Sequence, residues 1–291
     1  MSNILVTGAN GQLGKSFKII AEQFLNFDFL FVDLPEVDLR VKQKLYQFFE
    51  TNHVDFVINC AAYTEVDQAE DEVKLTFETN LNIVNNLCEL SQIYQFKIIQ
   101  LSTDYVFDGN ASKPYETYEP VNPIGVYGKS KAAAEQAILN AEIDAWIVRT
   151  SWLFSPFEKN FVKTIFVLLQ NKNEINVVSD QIGAPTYAIN LAKFILFAIS
   201  QKPHFEGSEI YHFTNTGITT WFDLACAIKN ELNSNCVINP VMTEDYPAKV
   251  KRPKYSVLSC EKTINEFNLS PNSWELALKD CLSNLKKLDE R

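Results

Sequence analysis

The sequence predicts an α/β protein built on a doubly wound parallel sheet, with a smaller α+β region after it. Two observations carry that reading. Over the first half of the 291-residue chain, short and nearly all-apolar runs alternate with stretches of helical periodicity, the pattern of strands covered by helices on both faces. A glycine-punctuated turn, Gly8-Ala-Asn-Gly11-Gln-Leu-Gly14, joins the first apolar run to the first helix. That is the opening of a Rossmann-type nucleotide-binding sheet, wound by right-handed crossovers.

Taken in order, residues 4–7 read as a strand and 13–24 as an amphipathic helix. A strand at 29–32, a helix at 42–50 and a strand at 56–59 follow. Residues 73–94 read as one long helix, 97–101 as a strand, 126–140 as a helix and 145–149 as a strand. Beyond this the periodicity predicts helices at 160–170, 188–201, 221–232 and 274–287, with short strands at 175–178 and 210–213. The expected division is residues 1–150 as the nucleotide-binding domain and 151–291 as a second region, some elements of which rejoin the first. The acidic run 67–72 lies just ahead of the helix at 73, where carboxylates suit the positive end of a helix dipole.

Bulk properties narrow the function. A net charge of −10 argues against a nucleic-acid partner, which needs clustered Lys and Arg, but permits a small phosphorylated ligand held by backbone amides. The six cysteines are scattered, with no CxxC and no histidine at ligand spacing, so a zinc site is not expected and free thiols in a reducing compartment are. No apolar stretch approaches the ~20 residues of a membrane span, and the first residues read as a strand rather than a signal peptide. The expectation is a cytoplasmic enzyme with no membrane partner.

In the glycine loop, Gly8 suits the tight turn, Gly11 a close approach of backbone to a pyrophosphate, and Gly14 close packing of the helix. Gln12 and Leu13 contribute unpaired amides at the helix start. The stretch from Ala9 to Ser16 also fits a relaxed phosphate loop of the ATPase kind, but it begins with alanine where a glycine cradles the phosphate. Asp33, 19 positions after Gly14 at the end of the second strand, stands where a carboxylate accepts from an adenosine ribose and repels a 2′-phosphate. NADH is therefore favoured, with Arg40 and Lys42 near enough in sequence to leave NADPH open.

Tyr127-Gly-Lys-Ser-Lys131 lies on a predicted helix, and a spacing of four puts the phenol and the amine on one face. A neighbouring ammonium favours the phenolate and so makes tyrosine a usable acid–base at neutral pH. Ser102, Thr103, Asp104 and Tyr105 follow the strand at 97–101, and Ala61, Ala62, Tyr63 and Thr64 follow the strand at 56–59. Both segments fall at the carboxyl edge of the sheet, where ligands bind in this architecture.

Together these residues resemble the extended short-chain dehydrogenases/reductases and, within them, the dTDP-4-dehydrorhamnose reductase family. GxxGxxG and YxxxK mark only the superfamily. STDYVFDG at 102–109, RTSW at 149–152, DQIGAPT at 180–186, TTW at 219–221 and RPKYSVL at 252–258 are far more specific, and the likeness runs nearly end to end. The resemblance implies reduction of the C4 ketone of dTDP-4-dehydro-β-L-rhamnose by NAD(P)H. It casts Tyr127 as the proton donor, Lys131 as the group that lowers its pKa and holds the nicotinamide ribose, and Thr103 as a hydrogen-bonding partner of the carbonyl oxygen. It further implies Asp38 and Leu39 beside the adenine. Thr64, Val66, Asp104, Tyr105 and Trp152 would lie near the sugar, and Asn160, Gln181, Thr186 and Arg252 toward the nucleotide end of the substrate.

One departure stands out. Some relatives pair through magnesium held by glutamates just after the glycine loop and just after GAPT. Here those stretches read Lys15-Ser-Phe-Lys18 and Tyr187-Ala-Ile-Asn190, so no metal is expected, and a monomer or weak homodimer is. Two other readings stand beside the first. One is a nucleotide-sugar 4-ketoreductase of other stereochemistry; the other is a non-catalytic regulatory subunit like that of methionine adenosyltransferase.

Overall fold

The computed structural model describes residues 1–247 and 249–289. Strands β1 (Ser2–Thr7), β2 (Phe27–Val32), β3 (Phe56–Asn59), β4 (Lys97–Thr103) and β5 (Ala145–Thr150) alternate with helices α1 (Gln12–Ile20), α2 (Lys42–Thr51), α3 (Val73–Phe77), α4 (Ile83–Tyr94) and α5 (Val126–Asn140). The second half adds strands β6 (Leu153–Phe154), β7 (Glu174–Val178), β8 (Ile182–Gly183), β9 (Thr186–Tyr187), β10 (Ser208–His212), β11 (Thr219–Thr220) and β12 (Val237–Val241). Its helices are α6 (Phe161–Asn171), α7 (Ala188–Gln201), α8 (Trp221–Leu232), α9 (Glu261–Phe267) and α10 (Trp274–Asp289).

Six strands form one parallel sheet in the order β10-β5-β4-β3-β1-β2. The strand order reverses between β1 and β3, which opens a crevice outside their carboxyl ends. All residues of β3 and β5 are buried, whereas the edge strands β2 and β10 are partly exposed.

Alternation along each strand divides the core in two. Ile4, Val6, Phe56, Ile58, Trp146 and Val148 face a layer that includes Phe17 of α1 and the largely buried α7. Leu5, Val57, Ile98 and Ile147 face the other, with Leu45 of α2, Leu87 of α4 and Ile138 of α5. Each such side chain fully buried contributes about 1.5–3 kcal/mol.

The second half does not stay apart from the first, since β10 pairs with β5. Its remaining strands form two-residue or five-residue pairs, β6 with β9, β8 with β11 and β7 with β12.

The periodicity predicts one helix over 73–94, but the chain forms α3, a π-helical turn at Glu78–Asn82 and then α4. Strand β12 escapes sequence reading because Pro240 interrupts it, and proline is confined to sheet edges. The acidic run also acts differently than expected. Glu70 accepts from the backbone N–H of Val126 at 2.7 Å, so it sits at the start of α5 and not of its own helix. Asp67 accepts from the Val250 N–H and pairs with Arg252, and Asp71 pairs with Lys249.

Candidate active site

The glycine loop closes tightly on itself and on the exit of β3. Gly8 has φ +61°, and a Cβ there would stand 2.7 Å from the backbone of Cys60 and Ala61. A Cβ on Gly14 would stand 2.4 Å from the Gly8 carbonyl oxygen. At Gly11 the only close atom is that same oxygen, at 3.3 Å, so its other side faces open space. No side chain caps α1, and its first amides are left for an anion. Asp33 accepts from the Asn10 N–H at 2.7 Å and from the Leu34 N–H at 2.8 Å, which ties the end of β2 to the loop. These residues fit a dinucleotide: the amides at the start of α1 are uncapped, and a side chain at Gly11 would fill the open space beside them.

A buried polar ladder runs along the carboxyl ends of the strands. Thr7 donates to Asn59 at 2.6 Å, Asn59 to Gln100 at 2.7 Å, and Gln100 to the Leu101 carbonyl at 2.8 Å. The same carbonyl accepts from the Lys131 ammonium at 2.6 Å. Every rung is buried, and buried polar groups are costly unless paired. The ladder therefore fixes the oxygen that orients Lys131.

Lys131 and Tyr127 are presented by α5. A Cβ on Gly128 would lie 2.2 Å from the Tyr105 carbonyl oxygen, so the helix rests directly on the turn that follows β4. Burial pulls the Lys131 ammonium down to about 8, opposed by the negative Glu135. Glu135 itself takes a bidentate bond from Arg149, at 2.9 and 2.7 Å, and a bond from Ser102. Burial pushes the Tyr127 phenol above its usual value, while the Thr103 hydroxyl beside it pulls the other way. The Lys131 ammonium on the same helix face is held by the Leu101 carbonyl. A raised phenol keeps its proton at neutral pH, the state needed to protonate an alkoxide.

Thr103 accepts from the Tyr105 N–H at 3.2 Å and donates to Asp104 Oδ1 at 3.0 Å. Asp104 Oδ2 is buried without a partner, and burial pushes this carboxyl up to about 7. Tyr105 meets Tyr127 edge-on at 5.6 Å.

One crevice of about 480 Å³ joins these groups, within the range of small-molecule sites. Gly8, Gly11, Gln12, Leu13 and Gly14 line one end of it, Thr103, Asp104, Tyr105, Tyr127 and Lys131 its centre, and Ala62, Thr64, Val66 and Trp152 its walls. The other sequence-predicted residues lie outside the lining. Asp38 holds Arg40 through both carboxylate oxygens at 2.9 Å. Leu39 is buried in the core between α2 and α4, and Ala61 packs behind Gly8. Tyr63 bonds to Glu72 at 2.8 Å. Asn160 caps α6 by accepting from Lys163 N–H at 3.1 Å. Gln181 bridges Trp221 and Thr243, Thr186 accepts from the Thr150 hydroxyl at 3.0 Å, and Arg252 reaches Asp67 and the Tyr105 hydroxyl.

Several residues escaped the sequence reading. Cys60, Glu65, Ser151 and Leu153 also line the crevice, and their signal was available, since they follow the carboxyl ends of β3 and β5. Glu158 and Lys159 come from the loop before α6. That loop grips the glycine-loop helix, with Glu158 paired to Lys15 and Ser155 donating to Gln12 at 2.9 Å. Asn80 is buried in the π turn and bonds to both backbone atoms of Tyr63 and to Ser130 of α5. A π turn is invisible to helical periodicity and frequent at functional sites. Among the described residues no cluster of three or more His, Cys, Asp or Glu is placed to hold a metal ion, and no helix is long and apolar enough to cross a membrane.

The family model for the RmlD substrate binding domain matches residues 1–287. A dTDP-4-dehydrorhamnose reductase of Aggregatibacter actinomycetemcomitans is 37% identical, over 96% of this chain and 98% of that protein. A solved dTDP-4-dehydrorhamnose reductase from Clostridium acetobutylicum superposes with a TM-score of 0.92 at 34% identity, covering 98% of this chain and 99% of that one. Another, from Bacillus anthracis and in complex with NADP, gives 0.90 at 36% identity, covering 98% and 100%.

Proposed function

Because this chain belongs to the RmlD substrate binding domain family, that of the dTDP-4-dehydrorhamnose reductases, we infer that it reduces the C4 ketone of dTDP-4-dehydro-β-L-rhamnose with NAD(P)H to give dTDP-L-rhamnose. The observation that carries the reading is the meeting of Thr103, Tyr127 and Lys131 in the crevice that the glycine loop also lines. The same three residues favour catalysis over a purely regulatory role, which needs none of them.

When bound, the nicotinamide cofactor supplies the hydride. The amides at the start of α1 would hold its pyrophosphate and Asp33 its adenosine ribose, with Asp38 and Leu39 serving the adenine end. Tyr127 Oη keeps the proton that the new alkoxide takes, and a positioned acid of this kind contributes about 10²–10⁴-fold in rate. With the ketone bound, Thr103 turns its hydroxyl from Asp104 Oδ1 to the ketone oxygen, and Lys131 stabilises the phenolate left behind. Residues 1–150 hold the cofactor, and 151–291 contribute the substrate side through Trp152 and the loop around Glu158. Asn160, Gln181, Thr186 and Arg252 serve the nucleotide end of the substrate, with side chains that are paired within the protein in this structure.

NADH is the favoured cofactor. Asp33 opposes a 2′-phosphate, and the guanidinium of Arg40 is already held by Asp38. No metal is required, since the position after the glycine loop holds Lys15, paired to Glu158. The protein acts as a monomer or weak homodimer, without nucleic-acid partners. Its free cysteines suit the reducing cytoplasm.

The test is incubation of purified protein with dTDP-4-dehydro-β-L-rhamnose and each reduced cofactor, followed by assignment of C4 in the product. The rhamno configuration supports the reading. The C4 epimer moves the protein to a reductase of other stereochemistry, and no oxidation of either cofactor ends the assignment.

A further inference from the structure

Trp152 projects into the crevice from a backbone that bulky residues rarely adopt, with φ +48°. Such a conformation persists only where the surroundings over-determine it. Its neighbours are pinned on both sides: Ser151 donates to the Ala184 carbonyl at 2.7 Å, and the Trp152 carbonyl accepts from the Thr186 N–H at 3.2 Å. The indole lies against bare backbone at Gly183, where a Cβ would stand 2.3 Å from the ring. One face of that indole is covered by Trp221, with centroids 3.6 Å apart and planes within 8°.

Trp221 is itself held from three directions. It is the first residue of α8, whose cap Thr220 exchanges bonds with Asp223 at 2.7 and 3.0 Å. Its indole N–H donates to Gln181 at 3.1 Å, and the ring of Phe161 packs on it at 4.4 Å. Strand β11, immediately before it, is registered on β8, with Thr219 opposite Gly183. Trp221 does not line the crevice, yet every restraint on it is passed to the one indole that does.

We propose that Trp221 is a positioning residue that fixes Trp152 as the rigid wall of the sugar subsite, so that the stack, acting through Trp152, sets affinity for the nucleotide sugar and leaves cofactor binding untouched. This rests on the reductase reading above. Misplacing a bound substrate by about 1 Å can cost about 100-fold, and loss of one face of support shifts an indole by a fraction of that.

Three variants test it: Trp221→Leu, Trp221→Phe and Gly183→Ala. The readouts are KM for dTDP-4-dehydro-β-L-rhamnose, Kd for NADH, and the paired far-UV circular dichroism signal that two stacked indoles produce. Trp221→Leu is expected to lose the paired signal and raise the sugar KM about tenfold, with NADH Kd within about twofold of wild type. Trp221→Phe loses the same signal but restores most of the sugar affinity, because a flat ring again supports Trp152. Gly183→Ala leaves Trp221 in place and pushes Trp152 from its other contact, and it raises the same KM even if Trp221→Leu fails to fold. An unchanged sugar KM in a folded Trp221→Leu or Gly183→Ala protein, or an equal loss of NADH affinity, overturns the proposal alone. A wild-type protein that binds NADH but reduces no dTDP-4-keto-6-deoxyhexose overturns the reductase reading, and this proposal with it.

Discussion

The Lys131 ammonium donates to the Leu101 carbonyl oxygen at 2.6 Å, joining the helix that carries Tyr127 to the strand that ends at Thr103. Burial has brought this amine down to about 8, so it is charged below that pH and neutral above it. The charged form is the one that stabilises a phenolate. Turnover of the nucleotide sugar should therefore hold steady below pH ~8 and fall as pH rises through it, with a slope near one proton. Lys131→Met should abolish that limb and lower kcat/KM by about 100-fold at pH 7. A pH–rate profile for both proteins measures this, and an alkaline limb that survives in Lys131→Met would show that another group titrates there.

In the proposed reaction Tyr127 and Thr103 divide the work at the ketone oxygen. Tyr127→Phe removes the proton but keeps the ring against Tyr105, so kcat should drop by about 10²–10⁴-fold while NADH Kd stays within about twofold. Thr103→Val should cost less, about tenfold, because the phenol remains. Steady-state kinetics and fluorescence titration of NADH separate the two effects. Wild-type turnover in Tyr127→Phe would remove the residue from its assigned role.

Asp33 bears on the choice between cofactors. In the proposed cofactor site, Asp33→Ala deletes an acceptor for the adenosine ribose and a negative charge that opposes a 2′-phosphate. It also frees the Asn10 N–H now held at 2.7 Å, so both cofactors lose some affinity. NADH should weaken about tenfold and NADPH less, each tenfold step being about 1.4 kcal/mol. Equal losses in paired titrations would mean that the carboxylate serves only to hold the loop.

The parallel sheet and its crevice were legible because short apolar runs set between helical periods, and glycine spacing, are local signals. The helix of Tyr127 was legible too, at 126–140, and is Val126–Asn140 in the fold. What stayed hidden depends on contacts distant in sequence. Nothing near Glu70 announces that it caps α5, 56 positions on. Thr7, Asn59 and Gln100 read as ordinary strand residues until register places them side by side. Asn80 lay inside what read as one regular helix, and only the extra residue of a π turn brings it inward. The phenol illustrates a different limit. Spacing puts Lys131 on the face of Tyr127, but only the fold shows that the Leu101 carbonyl orients its ammonium.

Asp104 gives the last prediction, and it concerns stability. This carboxyl is buried, Oδ2 has no partner among the described residues, and burial pushes it up to about 7 against the opposing hydrogen bond of Thr103. An unfolded chain ionises the same group near ~3.9. Between those values the folded protein binds a proton that the unfolded chain has released, so this group's contribution falls as pH rises from about 4 to about 7. The slope is on the order of 1 kcal/mol per pH unit at most. His212 acts in the opposite sense, because burial and Arg149 pull it down to about 3, and stability gains from it as pH rises toward ~6.5. Wild-type stability alone would mix the two. The difference between wild type and Asp104→Asn isolates the carboxyl, since His212 is common to both and asparagine stays neutral. Urea midpoints at pH 5, 6, 7 and 8 should show Asp104→Asn gaining on wild type with each step and ahead at pH 8. A difference that stays constant from pH 5 to pH 8 would mean that Asp104 is ionised throughout and that a partner meets Oδ2 in solution.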